Sequence, residues 1–508
     1  MIKSKKLDRK SLFIIVLLAV ISVVTIYLLA YSTSPLYGIH TSDSSMFAFI
    51  GKQWLSGQVP YRDIFDHKGP MIFFIDMLGF ILSSKELNGI MYIQMIFLFV
   101  SECLIYMLLK ENKMGIFSII IPAAFPFLFD KLFSEWNLTE EYIFPLLMLS
   151  YYLIYKYSKK MDEKVEIPPL YVFVFGFTCS FALMTRLTNC IGVACGCIYI
   201  AAYIAKHRNW KNLLQSVIVF FIGMGVLILP FSIYFAIKHC SYDFWYGTLI
   251  FNLLYTQTVS GTIANHAKSL LFTFPTILCG LAMFVNYIPQ KKWGKYFLWL
   301  SILTPHIAYF YNLTYYHYFA INIPFLFFAI IELRNAFVNS DSRWKKVFVR
   351  LLIGYGVLFT GIVSSLSFSK IFTVYSEDQK YAIRKEKFEE VLHLIPKSEY
   401  NSIMLYSDLD VAGNYLDYDL HPEVKYFACQ SWHELMNEDH KKEMEEYYVE
   451  EAPKYVIKPQ YSSYVPDEEW YTYKLRYVTD EFSYYGDSVV YTLYEKESDD
   501  IAESGVNP

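Results

Sequence analysis

Apolar residues run together in long blocks along this chain. Blocks near 12–31, 88–109, 114–129, 140–157, 169–185, 189–205, 212–237, 267–288, 296–311, 315–333 and 347–367 predict about eleven membrane-spanning helices. A span needs roughly 20 apolar residues; the shorter blocks are expected to tilt or to be partly covered by protein. A twelfth block, 70–82, is too short, opens with Gly-Pro and carries Asp76. It predicts a helix lying in the interface or re-entering, not a span. Loop charges agree. With 70–82 at the surface, the basic loops 110–113, 156–164, 206–211, 291–295 and 334–346 share a side with the N-terminal Lys3, Lys5, Lys6, Arg9 and Lys10. The acidic loop 134–141 falls on the other side. Basic loops stay cytoplasmic, so the predicted N-terminus is inside and the C-terminus outside. The first block is longer than a signal-peptide core and predicts a retained signal-anchor.

Polar patterning predicts two further features outside. The first outer loop, 32–87, holds an amphipathic helix over 43–55, capped by Ser42 or Asp43 and ended by Gly57 and Pro60. A second interfacial helix is expected over 242–255. From residue 369 the apolar blocks stop. An amphipathic helix over 377–394 and strands at 402–406, 455–458, 475–477 and 489–494, with turns at Pro396, Pro453 and Pro459, predict a small α/β domain. The division is therefore a transmembrane domain, 1–368, an extracytoplasmic domain, 369–498, and a disordered tail, 499–508. No internal repeat is visible.

Composition sharpens the class. The chain of 508 residues is 55% hydrophobic and only 18% charged, where a soluble domain is nearer a quarter charged. Its 45 Tyr and 42 Phe suit helices crossing membrane interfaces. A net charge of −4 argues against a nucleic-acid partner; the expected partners are membrane lipids. Six of the eight cysteines lie inside apolar blocks, and Cys195-Gly-Cys197 lacks the two-residue gap of a redox or metal motif, so helix packing is their role.

The stretch 38–70 is the densest in reactive groups. Asp43 either caps its helix or serves as a general base. Glu140 and Glu141 open the fourth block, where negative charge also suits a helix N-terminus. Arg186 ends the fifth block on the outer side and needs a partner there; an anionic phosphate fits, the alternative being a headgroup contact. Tyr316 and His317 stand at the start of a late block and could meet the same anion. Asp66 and His67 supply oxygen and nitrogen donors for a divalent cation, and Lys68 a charge for phosphate. The alternative for all three is a solvated loop whose charges pair among themselves. Asp76, Glu102 and Asp130 are acids in or beside apolar blocks with no assigned role. Asn137-Leu-Thr139 and Asn312-Leu-Thr314 match a glycosylation sequon.

Several of these residues fall in a familiar order. Ser42-Asp43 follows the first span; Gly57-Gln-Val-Pro60 leads to His67-Lys-Gly-Pro70; Thr139-Glu140 opens the fourth span; Met184-Thr-Arg186 ends the fifth. Asp243-Phe-Trp245 follows the seventh, and Tyr316 to Pro324 precede a late span. This order resembles the GT-C glycosyltransferases, in particular the protein O-mannosyltransferase and aminoarabinose transferase branch, over roughly residues 43–330. Ser44 stands where that family carries a second acid. The resemblance implies a GT-C-like α-helical polytopic fold and a polyprenyl-phosphate sugar donor. It also implies a lipid, glycan or protein acceptor, reaction at the outer face, and inversion. Asp43 would be the general base. Glu140, with Glu141 as the lesser choice, would bind sugar or acceptor, or help hold a divalent metal; Arg186 would meet the carrier phosphate. The competing readings are a transporter or flippase of lipid-linked sugar, a polymerase or ligase of related architecture using a lipid-diphosphate donor, and a non-catalytic sensor.

Overall fold

The computed structural model describes residues 9–37, 42–85, 87–255, 263–310, 315–406, 411–421, 453–461, 469–470, 472–484 and 487–497, together with 425, 427, 442 and 446. Each apolar block is helical. In chain order the helices are α1 (Arg9–Leu29), α2 (Ser42–Leu55), α3 (Pro70–Leu82), α4 (Asn88–Glu111), α5 (Phe117–Leu128), α6 (Thr139–Lys160), α7 (Pro169–Leu183), α8 (Ile191–Lys206) and α9 (Trp210–Ile237). There follow α10 (Ser241–Trp245), a π-helical turn (Tyr246–Ile250), α11 (Phe251–Tyr255), α12 (Ile263–Phe272), α13 (Phe274–Tyr287), α14 (Trp293–Phe310), α15 (Ile323–Val338) and α16 (Arg343–Leu392). The stretch expected as a second interfacial helix is thus helical throughout, with a wide turn in its middle.

Among the described residues, six helices are long and apolar enough to cross a membrane: Arg9–Leu29, Asn88–Glu111, Leu187–Lys206, Trp210–Ile237, His317–Val338 and Arg343–Val374. The pair His266–Phe272 and Phe274–Tyr287, bent by 57°, passes the same test only when taken together, as a broken span or a re-entrant loop. The remaining expected spans are helices that are shorter or more polar: α5, α6, α7 and α14. As its length required, α3 is a short apolar helix. It threads between α2 and α4, and a Cβ on Gly89 would lie 1.8 Å from the Gly79 carbonyl oxygen, so only glycine permits that crossing. Leu12, Phe13 and Val20 on α1, and Leu214, Phe221 and Leu229 on α9, are exposed. Apolar faces of that extent are not left to water.

The bundle has two distinct ends. Lys156 pairs with Glu111 at 3.3 Å, Lys295 with Asp162 at 3.2 Å, and the Tyr203 hydroxyl donates to the Met161 carbonyl at 3.1 Å. These contacts gather the lysine-rich loops at one end. At the other, Ser32 donates to the Glu135 carbonyl, Gln94 to Glu141, and Thr276 to Asn322. From Glu140 to Lys160, α6 joins the two ends, about 30 Å apart at 1.5 Å per residue.

One element differs from expectation. The last apolar block and the amphipathic stretch after it form a single 50-residue helix, α16. No proline occurs in it and no glycine follows Gly361, so nothing stops the helix where its composition changes. Beyond it come β1 (Ile403–Leu405), α17 (Val411–Asp417), β2 (Tyr455–Tyr461), β3 (Glu469–Trp470), β4 (Tyr473–Val478), β5 (Phe482–Tyr484) and β6 (Asp487–Lys496). The sheet order is β1-β2-β6-β4-β3, with β5 also on β6; β1 and β2 run parallel and the other pairs antiparallel. All four expected strands are present. Pro459, expected at a turn, instead lies inside β2 opposite Tyr491. It is tolerated because β1 pairs only with 455–457, leaving Pro459 on an edge where no N–H is needed.

Candidate functional site

The site is built around the loop 61–71, held from three directions. Gly69 N–H donates to the Thr185 carbonyl at 2.9 Å and Met71 N–H to the Met184 carbonyl at 2.8 Å, seating the loop on the exit of α7. A Cβ at Gly69 would lie 2.2 Å from the Met184 carbonyl carbon, so the approach requires glycine. Buried Tyr61 donates its hydroxyl to the Lys68 carbonyl at 2.7 Å and accepts from Thr248 at 3.2 Å. Asn252 donates to the His67 carbonyl at 2.5 Å. On the remaining side, Phe65 N–H donates to the Lys425 carbonyl at 2.8 Å.

This frame presents Asp66, His67 and Lys68 next to Arg186. Asp66 is 4% exposed, and its Oδ1 accepts from the Lys68 amide at 2.7 Å. Burial raises its pKa, against the pull of the Lys68 ammonium and amide; the Asp43 charge raises it further. The Lys68 ammonium donates to His67 Nε2 at 2.8 Å. Arg186 donates from Nη1 to Glu140 Oε1 at 2.8 Å, and its guanidinium lies 3.2 Å from the centroid of the Tyr318 ring. Thr139 donates to the other Glu140 oxygen at 2.9 Å. His317 packs edge-on against Tyr318 at 4.4 Å. Asp43, in the first turn of α2, is near enough that its charge acts on Asp66, His317 and Tyr318.

Residues distant in sequence therefore converge: Asp43, Asp66, His67, Lys68, Glu140, Arg186 and His317, at the end of the bundle away from the lysine-rich loops. Two other candidates face elsewhere. Glu141 accepts from Gln94 at 3.0 Å and from the Asn137 amide at 2.8 Å. It belongs to a buried network in which Asn137 also donates to Asp76 at 3.2 Å and to the Ser44 carbonyl at 3.3 Å. One residue along a helix turns a side chain by about 100°, so Glu140 and Glu141 cannot serve the same place. The Tyr316 ring faces Lys268 at 3.8 Å and Lys131 at 4.7 Å. Tyr318, which the sequence did not single out, takes the position against Arg186. Asp63 is tied to Arg62, whose hydrogen bonds hold its carboxyl below the usual range. Asp130 pairs with Lys370 at 2.8 Å, buried.

Among the described residues no three His, Cys, Asp or Glu side chains cluster as a metal site would require. The divalent cation considered for Asp66 and His67 does not fit the residues present: an ammonium already meets His67 Nε2, and it would repel a second cation there.

The C-terminal segment covers the outer flank of α2. Phe49 stacks on Tyr415 at 4.7 Å and packs on Phe427 at 5.0 Å. Lys52 forms an ion pair with Asp419, and Gln53 meets His421 at 3.0 Å. No protein-family model matches the chain, and no curated protein matches its sequence.

Proposed function

We propose that this chain is a membrane glycosyltransferase of the GT-C kind, moving a sugar from a polyprenyl-phosphate carrier to an acceptor at the outer face. The reading takes eleven spans, with the N-terminus cytoplasmic and the sheet domain outside. One observation carries it: Asp43, Asp66, Lys68, Glu140, Arg186 and His317 are drawn together from five separate parts of the chain, at the end remote from the basic loops.

The chemistry follows from these groups. The acceptor hydroxyl oxygen attacks the anomeric carbon while the bond from that carbon to the carrier phosphate oxygen breaks. The hydroxyl proton passes to Asp43, and the bonding pair leaves with the phosphate. In-line displacement inverts the anomeric centre. Charge growing on the departing phosphate is met by Arg186, with Lys68 and His317 beside it. Glu140 and Tyr318 hold the guanidinium in one plane, so its donors need not reorganise as the phosphate leaves. Positive charge on the sugar ring is offset by Asp43 and Asp66.

Transfer from radiolabelled undecaprenyl- or dolichyl-phosphate sugars, using purified full-length protein, tests this. Asp43→Asn and Arg186→Ala are expected to lose at least about a hundredfold in rate, the range for a general base and for a stabilising cation. Wild-type transfer by a well-folded Asp43→Asn variant would refute the assignment. Transport of lipid-linked sugar is the second reading, and buried Glu102 and Glu332 are what favour it. Each is already engaged, Glu102 by Ser22 and Glu332 by Tyr155, Tyr287 and Asn286.

A further inference from the structure

At the end of the bundle opposite the candidate site, a cavity of about 780 Å³ opens between the end of α6 and the starts of α7 and α9. Five lysines line it, Lys156, Lys159, Lys160, Lys164 and Lys211, against two glutamates, Glu111 and Glu166. Lys156 is paired with Glu111 at 3.3 Å and Lys164 with Glu166 at 3.6 Å, while Lys159 donates to Asn112 at 2.7 Å. Lys160 and Lys211 have no carboxylate partner among the described residues. They reach the cavity from different helices, Lys160 from the last turn of α6 and Lys211 from the first turn of α9. The N-termini of α7 and α9 open onto the same space, adding the positive ends of two helix dipoles.

A second hollow, about 360 Å³ and almost wholly apolar, shares Ile167 with the first as a common wall. It runs between Val172 and Phe175 of α7, Ile198 of α8, and Leu213 and Phe220 of α9. Ile198 and Phe221 at its rim are exposed, as is Trp210 beside the basic cavity. An unbalanced positive cavity next to an apolar groove, with Ile167 as their common wall, matches a molecule with an anionic head and a hydrocarbon tail.

We infer that this pair of hollows binds an anionic phospholipid of the cytoplasmic leaflet, its phosphate between Lys160 and Lys211 and an acyl chain in the α7–α8–α9 groove. The site rests on the proposed membrane orientation but not on the transfer chemistry. Free inorganic phosphate would satisfy the lysines without using the groove.

The test is native mass spectrometry of the full-length chain in a non-ionic detergent. The probes are phosphatidylglycerol and phosphatidylcholine of identical acyl chains, with and without inorganic phosphate. Phosphatidylglycerol is expected to be retained in preference to phosphatidylcholine and to resist millimolar phosphate. The exposed-site double variant Lys160→Gln/Lys211→Gln is expected to weaken its retention by about fivefold per lysine removed. Equal retention of the two lipids, or unchanged retention by a monodisperse double variant, overturns the site; lysines placed there only to set orientation would give that result. Displacement by inorganic phosphate overturns the lipid assignment. If sugar transfer fails in the wild type while selective retention holds, the transfer proposal falls and this one stands. If the chain is released from membranes by carbonate washing, the orientation on which both rest falls first.

Discussion

Arg186 shows how a single cationic side chain is held in one place. It sits between an acid, Glu140 at 2.8 Å, and an aromatic face, Tyr318 at 3.2 Å. A cation over such a face gains about 0.5–2 kcal/mol. Tyr318→Leu should therefore slow transfer by about 3- to 30-fold, while Tyr318→Phe keeps the ring and stays near wild type; steady-state kinetics on the two variants separates them. Equal losses in both would mean that the hydroxyl, not the face, is what matters. Asp66 supplies a pH signature. Burial raises its pKa, so below the ordinary carboxylate value of about 4 it is protonated in folded and unfolded chains alike. As pH rises, the unfolded chain ionises first, and stability is lost up to and through the folded pKa. Thermal unfolding of Asp66→Asn should show a shallower decline with rising pH than wild type. A parallel pair of curves would rule out a desolvated carboxyl. The charged members of this site were legible in the sequence because charge stands out against apolar blocks. Tyr318 was not: one tyrosine among 45 carries no mark of the arginine it faces.

At the scale of elements, apolar run length located the helices, since burial of an apolar face and satisfaction of the backbone both demand helix there. The short block 70–82 was legible as a short apolar helix from its length and its Gly-Pro opening. Where one helix would end was harder to see. The change from apolar to charged residues near 369 marked a boundary in composition, yet the backbone of α16 crosses it without a breaker. That continuity places Lys370 against Asp130, which also accepts from Trp136 Nε1 at 2.8 Å. Both partners are buried, so removing one strands a charge. Lys370→Met should destabilise the chain by about 3–5 kcal/mol. Adding Asp130→Asn should recover most of that loss, because the stranded charge is then gone. A double-mutant cycle by thermal unfolding checks this; additive losses would show that the two residues act independently. Asp130, left without a role by the sequence, thus acts as the anchor that fixes α16 beside the loop before α6.

At the scale of the whole molecule, one helix connects the sheet domain to the candidate site. α2 carries Asp43 in its first turn and, about two turns on, sets Phe49 against Tyr415 and Phe427 of the C-terminal segment. The loop that carries Asp66 is tied to the same segment through the Phe65 amide and the Lys425 carbonyl. Nothing in the sequence pairs Phe49 with residues more than 360 positions away, which is why this docking was not legible. Its cost of removal can be stated. Phe49 is fully buried, and truncating such a side chain to alanine costs about 3–5 kcal/mol. Phe49→Ala should therefore release residues 411–421 from α2 and raise their amide exchange, while exchange in α8, which packs on α7, α9 and α14, stays unchanged. Transfer should fall along with it, because the start of α2 and the 61–71 loop lose a common support. The Lys52–Asp419 pair sets the pH range for the experiment. The Lys52 hydrogen bond lowers the Asp419 pKa, so this contribution is fully present above the ordinary carboxylate value of about 4 and is lost only as pH falls through the lower, folded value. Exchange measured between pH 6 and 8 thus reports the aromatic contact with the ion pair intact. Unchanged protection of 411–421 in Phe49→Ala would mean that the domain is held by other contacts. Raised exchange with full transfer would mean that Asp43 is positioned from within the bundle, by the Ser44 and Asn137 contacts beneath it.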